Sequence, residues 1–207
     1  MPRKQPEYTI TKLDLSKKRD LDKLSELAGD SMEANLAVGT GYFRIKRYRD
    51  ALPHLEYAAS QGSSDAKAHL AEMYYYGFGV EIDRDEAFRL NTEASDDGNL
   101  YSTYTLGMMY LRGVATEMDV QKAYELISRA ADRRYPQALN ALGTFYMTGT
   151  FVERDLVEAE RLFRDAVSLG DRRAAANLEV LSQMGDDDVP EMMVLSKGMM
   201  PTKRSRL

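Results

Sequence analysis

The 207-residue chain contains no cysteine, which excludes disulfides, thiolate metal sites and a cysteine nucleophile. It has only two histidines, His54 and His69, fifteen positions apart, so no helical His pair at three- or four-residue spacing exists to hold a metal. No apolar run approaches the ~18 residues that a membrane-spanning helix needs. The opening stretch, "MPRKQPEYTITKLDL", is basic but lacks the apolar segment of a secretory leader. There is no basic surplus either: the net charge is −5, so a global nucleic-acid footprint is missing. Reducing-compartment chemistry and the absence of a spanning segment lead to the expectation of a cytoplasmic protein. One competing address is the ending Ser205-Arg206-Leu207, which is similar to the peroxisomal Ser-Lys-Leu signal in a eukaryotic setting.

What the chain does have is a period. Gly77, Gly113 and Gly149 are spaced by 36 residues, and so are Tyr74, Tyr110 and Tyr146. The same step relates Asp83, Asp119 and Asp155, then Ala87, Ala123 and Ala159, then Ala94, Ala130 and Ala166. Repetition at this length marks an array of small structural units. An earlier copy, Ala34 to Gly62, keeps Gly39, Tyr42, Ala51 and Ala58 but lacks four residues between its halves.

Each unit reads as two antiparallel helices. In "AKAHLAEMYYYG" (66–77), Leu70, Met73 and Tyr74 form one apolar face at helical spacing. Ala71 lies within that face and becomes Gly107 and Gly143 in later copies, which lets a neighbouring helix approach closely. Gly77, Gly113 and Gly149 suit left-handed C-caps. Asp83 and Asp155 stand at N-cap positions with Glu86 and Glu158 three residues on, the pattern of a capping box; Asp119 has Lys122 there instead. Ten helices are expected, over 20–29, 32–44, 47–60, 65–77, 83–97, 101–112, 119–133, 137–148, 155–168 and 172–184.

These residues carry a family resemblance. "LAEMYYYGFGVEIDRDEAFRLNTEASDDG" (70–98) and "ALGTFYMTGTFVERDLVEAERLFRDAVSLGDRRA" (141–174) resemble the Sel-one-like repeat, a relative of the tetratricopeptide repeat. The third copy departs from the pattern, with Arg134 for the closing glycine and Ala115-Thr116 for the Gly-Val pair. The resemblance covers about residues 34 to 180 and implies an all-α, right-handed solenoid of helix pairs. The expected organisation is an N-terminal extension (1–19), an array (20–184) and a flexible tail (185–207). Full repeats fall at about 34–65, 66–101, 102–137 and 138–173, with capping helices at 20–29 and 172–184. The tail is rich in methionine (Met192, Met193, Met199, Met200) and is a candidate for self-association.

Catalytic and cofactor motifs are missing. Gly77-Phe78-Gly79 lacks the strand, lysine and later glycine of a phosphate loop. His54 occupies a place held by Leu90, Leu126 and Leu162 in other copies, which suits a partly buried packing role. The acidic clusters Asp96-Asp97 and Asp186 to Asp188 are read as solvated, and Arg129, Arg133, Arg134, Arg161, Arg164, Arg172 and Arg173 as complements of helix ends. No metal or cofactor is implied, and the chain is expected not to be an enzyme.

The resemblance also implies where a partner would sit, because inner faces of first helices line a groove in related arrays. By register this face carries Phe43 and Arg44 in the first copy and Glu72, Tyr75 and Tyr76 in the second. The third copy contributes Tyr101, Tyr104, Met108 and Arg112, and the last Asn140 and Met147. Tyr75 and Tyr76 change to Leu111 and Arg112, then Met147 and Thr148, while Tyr74 and Gly77 repeat. A varied, aromatic-rich face on a constant framework points to binding of a protein or peptide. Tyr75, Tyr76, Tyr101 and Tyr104 are expected to converge on one stretch. The lysine-asparagine clamp of chaperone-tail binders is absent: Ala68, Tyr104 and Asn140 stand in its places. The alternative reading is an inhibitor or immunity protein that uses the same face to block a toxin or enzyme.

Overall fold

A computed structural model describes residues 14–184. These form ten helices: α1 (Lys18–Ala28), α2 (Met32–Arg44), α3 (Tyr48–Ser60), α4 (Ser64–Tyr76), α5 (Arg84–Asp96), α6 (Leu100–Arg112), α7 (Val120–Asp132), α8 (Pro136–Thr148), α9 (Leu156–Ser168) and α10 (Arg172–Gln183). Every helix end lies within two residues of its expected position. The tail expected from residue 185, with its methionines and the Ser205-Arg206-Leu207 ending, lies outside the described residues, as do the first thirteen. Leu15 of the expected extension packs on the first core, and Met184 packs on the second.

The chain divides between Asp97 and Gly98 into two compact units. In the first, α2 pairs with α3 and α4 with α5; α1 packs on α2, and α3 on α4. Its core holds Leu21, Val38, Tyr42, Leu55, Leu70 and Met73. In the second, α6 pairs with α7 and α8 with α9, α7 packs on α8, and α10 lies on α8 and α9. Its core is built on Ile127, Phe145, Met147, Leu162 and Phe163.

The small-residue position sets how closely paired helices approach. A Cβ added to Gly143 would stand 2.8 Å from a Phe163 ring carbon and 3.3 Å from Leu162 Cβ. At Gly107 it would meet Ile127 Cγ1 at 2.9 Å, and at Gly39 the Leu55 side chain at 2.7 Å. The partner helix therefore occupies the space of the missing side chain. First helices end as expected in left-handed glycines, with φ of 75°, 62° and 65° at Gly77, Gly113 and Gly149. Where later copies depart from glycine, the backbone keeps its conformation: Ala115 and Phe151 hold φ 58° and 72° in the place of Gly79 (76°), and Arg134 holds 62° in the place of Gly98 (87°) and Gly170 (90°). Tertiary contacts impose a conformation that these side chains disfavour.

The N-caps differ from expectation in one respect. Asp83, Asp119 and Asp155 accept from the N–H groups of Glu86, Lys122 and Glu158 at 2.9 Å each, as caps do. The reciprocal half of a capping box is absent. Glu86 and Glu158 turn to Arg89 and Arg161 instead. The cap residues' own N–H groups already donate to the carbonyls of Tyr74, Tyr110 and Tyr146, at 3.0, 3.0 and 2.9 Å. The first pair makes the same bond across its short turn, from Arg47 N–H to the Tyr42 carbonyl at 2.8 Å. With the donor satisfied by main chain, a glutamate has nothing to add there, and Lys122 is tolerated. Its ammonium instead sits 4.5 Å from the centre of the Tyr110 ring.

Two stability effects follow. Gly143→Leu forces a side chain into filled space and is expected to destabilise by about 1–3 kcal/mol in urea unfolding. Asp155→Ala is expected to cost about 1 kcal/mol, as loss of an N-cap does, whereas Glu158→Gln leaves the cap intact and shifts the urea midpoint much less.

Candidate functional site

The first unit carries a connected set of rings. Phe43, near the end of α2, stands 4.8 Å from His69 of α4 and 5.3 Å from Tyr48 at the start of α3, between ring centres. Tyr48 stacks on Phe78 at 4.6 Å with the planes 9° apart. Phe78 stacks in turn against Tyr76 at 5.3 Å, and Tyr76 meets Tyr75 edge-on at 4.8 Å. The run follows from the sequence: Gly77 ends α4 in a left-handed turn, which folds Phe78 back beside Tyr76 and onto the start of α3. Tyr76 is 55% exposed, Tyr75, Phe43 and Glu72 are half-buried, and Arg44 is exposed. Register identified Phe43, Tyr75 and Tyr76. It passed over Tyr48 and Phe78, which join them; an aromatic directly after a C-cap glycine was the available signal.

The second unit answers differently. Tyr101 and Tyr104 are half-buried and Arg112 is exposed. Tyr104 packs against Tyr135, 5.7 Å between ring centres, and burial pushes its hydroxyl pKa up. Met108, Asn140 and Met147 do not line an open face: they are 7%, 5% and 0% exposed. Both methionines belong to the core of the unit, and the Asn140 amide oxygen accepts from Asn177 of α10 at 2.7 Å. The positions that α10 and the neighbouring helices cover are spent on packing. Tyr75 and Tyr76 lie in the first unit and Tyr101 and Tyr104 in the second, each placed within its own unit.

The arginines near helix ends are held locally rather than by helix ends alone. Arg161 pairs with Glu158 and Asp165, Arg164 with Glu160, and Arg134 with Asp165. Arg133 donates to the Gly98 carbonyl at 3.1 Å. Among the described residues no group of three or more histidine, aspartate or glutamate side chains could hold a metal, and no helix is long and apolar enough to cross a membrane.

His54 plays the packing role expected of it, within a polar relay. Asn35 spends its amide N–H groups on the Gly29 and Ser31 carbonyls, so its oxygen faces His54 Nδ1 at 2.7 Å and fixes the proton there. Nε2 then accepts from the Ser25 hydroxyl at 2.9 Å. The ring is stacked with Tyr42, whose hydroxyl donates to Asp22 at 2.6 Å. Burial lowers the pKa of His54, against the opposing pull of Asp50, and burial likewise lowers that of His69.

The comparisons with known proteins agree with this architecture. The Sel1 repeat model matches residues 64–99, 100–135 and 136–171, and the chain belongs to the Sel1 repeat family. A Sel1 repeat protein from Oxalobacter formigenes is similar at 26% identity and a TM-score of 0.66, over 70% of this chain and 59% of that one. A protective antigen present in uropathogenic Escherichia coli strains, displaying an SLR fold, is similar at 25% identity and a TM-score of 0.68, over 81% and 37% of the two chains. A Sel1 repeat protein from Klebsiella pneumoniae shares the fold at 17% identity and a TM-score of 0.51, over 78% and 99%. The chain thus spans less than two thirds of the first two of these proteins. A search of curated proteins returned no match. Sel1 repeats generally mediate protein–protein interaction and are typically non-enzymatic.

The histidines make the first unit sensitive to mild acid. Both are held neutral in the fold with lowered pKa values, while unfolded histidine titrates near 6.5. Below that pH the unfolded chain takes up protons first, so stability is fully present above about pH 6.5 and falls as pH drops toward the folded values. Urea midpoints at pH 7.5 and 5.5 are expected to separate for the wild type, and to separate less for His54→Gln/His69→Gln.

Proposed function

We propose that this chain is a non-enzymatic scaffold or adaptor that binds a segment of a partner protein on the aromatic face of its first helices. One observation carries the reading: Tyr76, held between Phe78 and Tyr75, is 55% exposed in a ring cluster that is otherwise partly buried. Such a residue offers a large amphipathic contact area held in place by its neighbours, and tyrosine loses little entropy on binding. Framework positions of the repeat stay constant while Tyr75 and Tyr76 vary from copy to copy, as a surface tuned to a partner requires. The interaction role of the Sel1 family supports the same reading.

The contact face in the first unit consists of Phe43, Arg44, Glu72, Tyr75 and Tyr76. In the second unit the corresponding positions are Tyr101, Tyr104 and Arg112, whereas Met108, Asn140 and Met147 are buried. Affinity capture with mass spectrometry, using wild type and Tyr76→Ala in parallel, tests the reading. Truncating a central aromatic costs about 2 kcal/mol or more at an interface, roughly thirtyfold in affinity. The expected outcome is loss of the captured partner with an unchanged melting temperature. Undiminished capture by the variant removes this face from consideration.

A further inference from the structure

The corner between α2 and α3 reads Arg44-Ile45-Lys46-Arg47-Tyr48-Arg49-Asp50, four cations within six positions of a chain whose net charge is −5. Arg47 pairs with Asp50. Among the described residues, Arg44, Lys46 and Arg49 enter no ion pair. Elsewhere in this unit Lys67 bridges Glu93 and Asp97, and Arg89 bridges Glu86 and Glu93. The other cations that enter no ion pair among the described residues, Arg19, Lys23 and Arg84, each stand beside an aspartate in the sequence (Asp20, Asp22, and Asp83 with Asp85) rather than in a run of four. The corner is therefore a local excess of positive charge on an acidic protein.

It is also shaped. Lys46, Arg47, Tyr48, Arg49, Asp50 and Gly79 line a depression of about 390 Å³. Its wall is the loop after α4, pressed onto the start of α3. A Cβ on Gly79 would lie 2.8 Å from Tyr48 Cβ and 3.1 Å from the Arg49 nitrogen. The alanine and phenylalanine found at this place in other copies would not fit here. Tyr48 is the first member of the stack that continues through Phe78 to exposed Tyr76. Uncompensated cations, a depression and a rigid aromatic run thus share one corner.

We infer that this corner docks an acidic protein segment carrying an aromatic or aliphatic side chain among its carboxylates. Carboxylates pair with Lys46 and Arg49, while the apolar side chain enters the depression beside Tyr48. Charge complementarity of this kind speeds encounter and selects the partner's sign more than it adds raw affinity. A nucleic-acid strand fits less well, because its affinity comes from successive phosphates along a basic track. The first-helix positions Glu33, Asp65 and Glu72 of this unit are acidic and offer no such track. The inference rests on the partner-binding reading above and gives that partner a chemistry.

The test is fluorescence anisotropy of the full chain with a labelled hexapeptide, DEFDEL, its basic counterpart KRFKRL, and a twelve-nucleotide oligo(dT). DEFDEL is expected to bind, more weakly as salt rises, and KRFKRL not to bind. Lys46→Gln/Arg49→Gln should weaken DEFDEL binding by about tenfold, and Lys46→Glu/Arg49→Glu should weaken it further and remove its salt dependence. Both positions are exposed, and circular dichroism checks that the variants fold. Binding unchanged in both double variants, tighter binding of oligo(dT) than of DEFDEL, or no binding of DEFDEL each overturns the inference. The two readings fail separately. Capture that survives Tyr76→Ala removes the aromatic face, whereas the charge variants decide the acidic partner.

Discussion

One main-chain hydrogen bond organises every helix pair in this protein. The N–H of the residue that caps the second helix donates to the carbonyl of the framework tyrosine near the end of the first, at 2.8 to 3.0 Å in all four pairs. The bond satisfies a donor that would otherwise be orphaned at a helix start and fixes where the second helix begins relative to the first. Close approach at Gly39, Gly107 and Gly143 depends on that placement, because Leu55, Ile127 and Phe163 must arrive opposite the gaps. Side-chain caps from Asp83, Asp119 and Asp155 then add to an arrangement that backbone geometry has already set.

Much of the fold was legible in the residues. A 36-residue step in tyrosine, glycine, aspartate and alanine is a structural period, and helical spacing of Leu70, Met73 and Tyr74 identifies the buried face. The capping boxes were misread for a physical reason. Their sequence signature specifies an acid three residues after the cap, but not whether the cap's N–H is still free. Lys122 in the third copy was the clue that the glutamate does not matter.

The candidate site was legible only in part. Register says which way a helix position faces, not how deep its neighbours cover it. Phe43, Tyr75 and Tyr76 stay at least partly accessible in the first unit, while Met108 and Met147 occupy equivalent faces in the second and are core. Phe78 and Tyr48 lie outside the first helices, so the register of first-helix positions does not include them. Arg134 shows the opposite case, in which a departure from the pattern changes nothing: its backbone adopts the left-handed turn that glycine adopts elsewhere.

The tyrosine-to-cap bond joins residues five apart in the first pair and nine apart in the others, so the segment it encloses differs in length while the bond is kept. That makes the inter-helix turn a natural site of insertion and exchange. Lineages of such repeats can acquire new surface chemistry there by gaining or losing a few residues, and a designed loop grafted inside the bond would inherit the same tolerance.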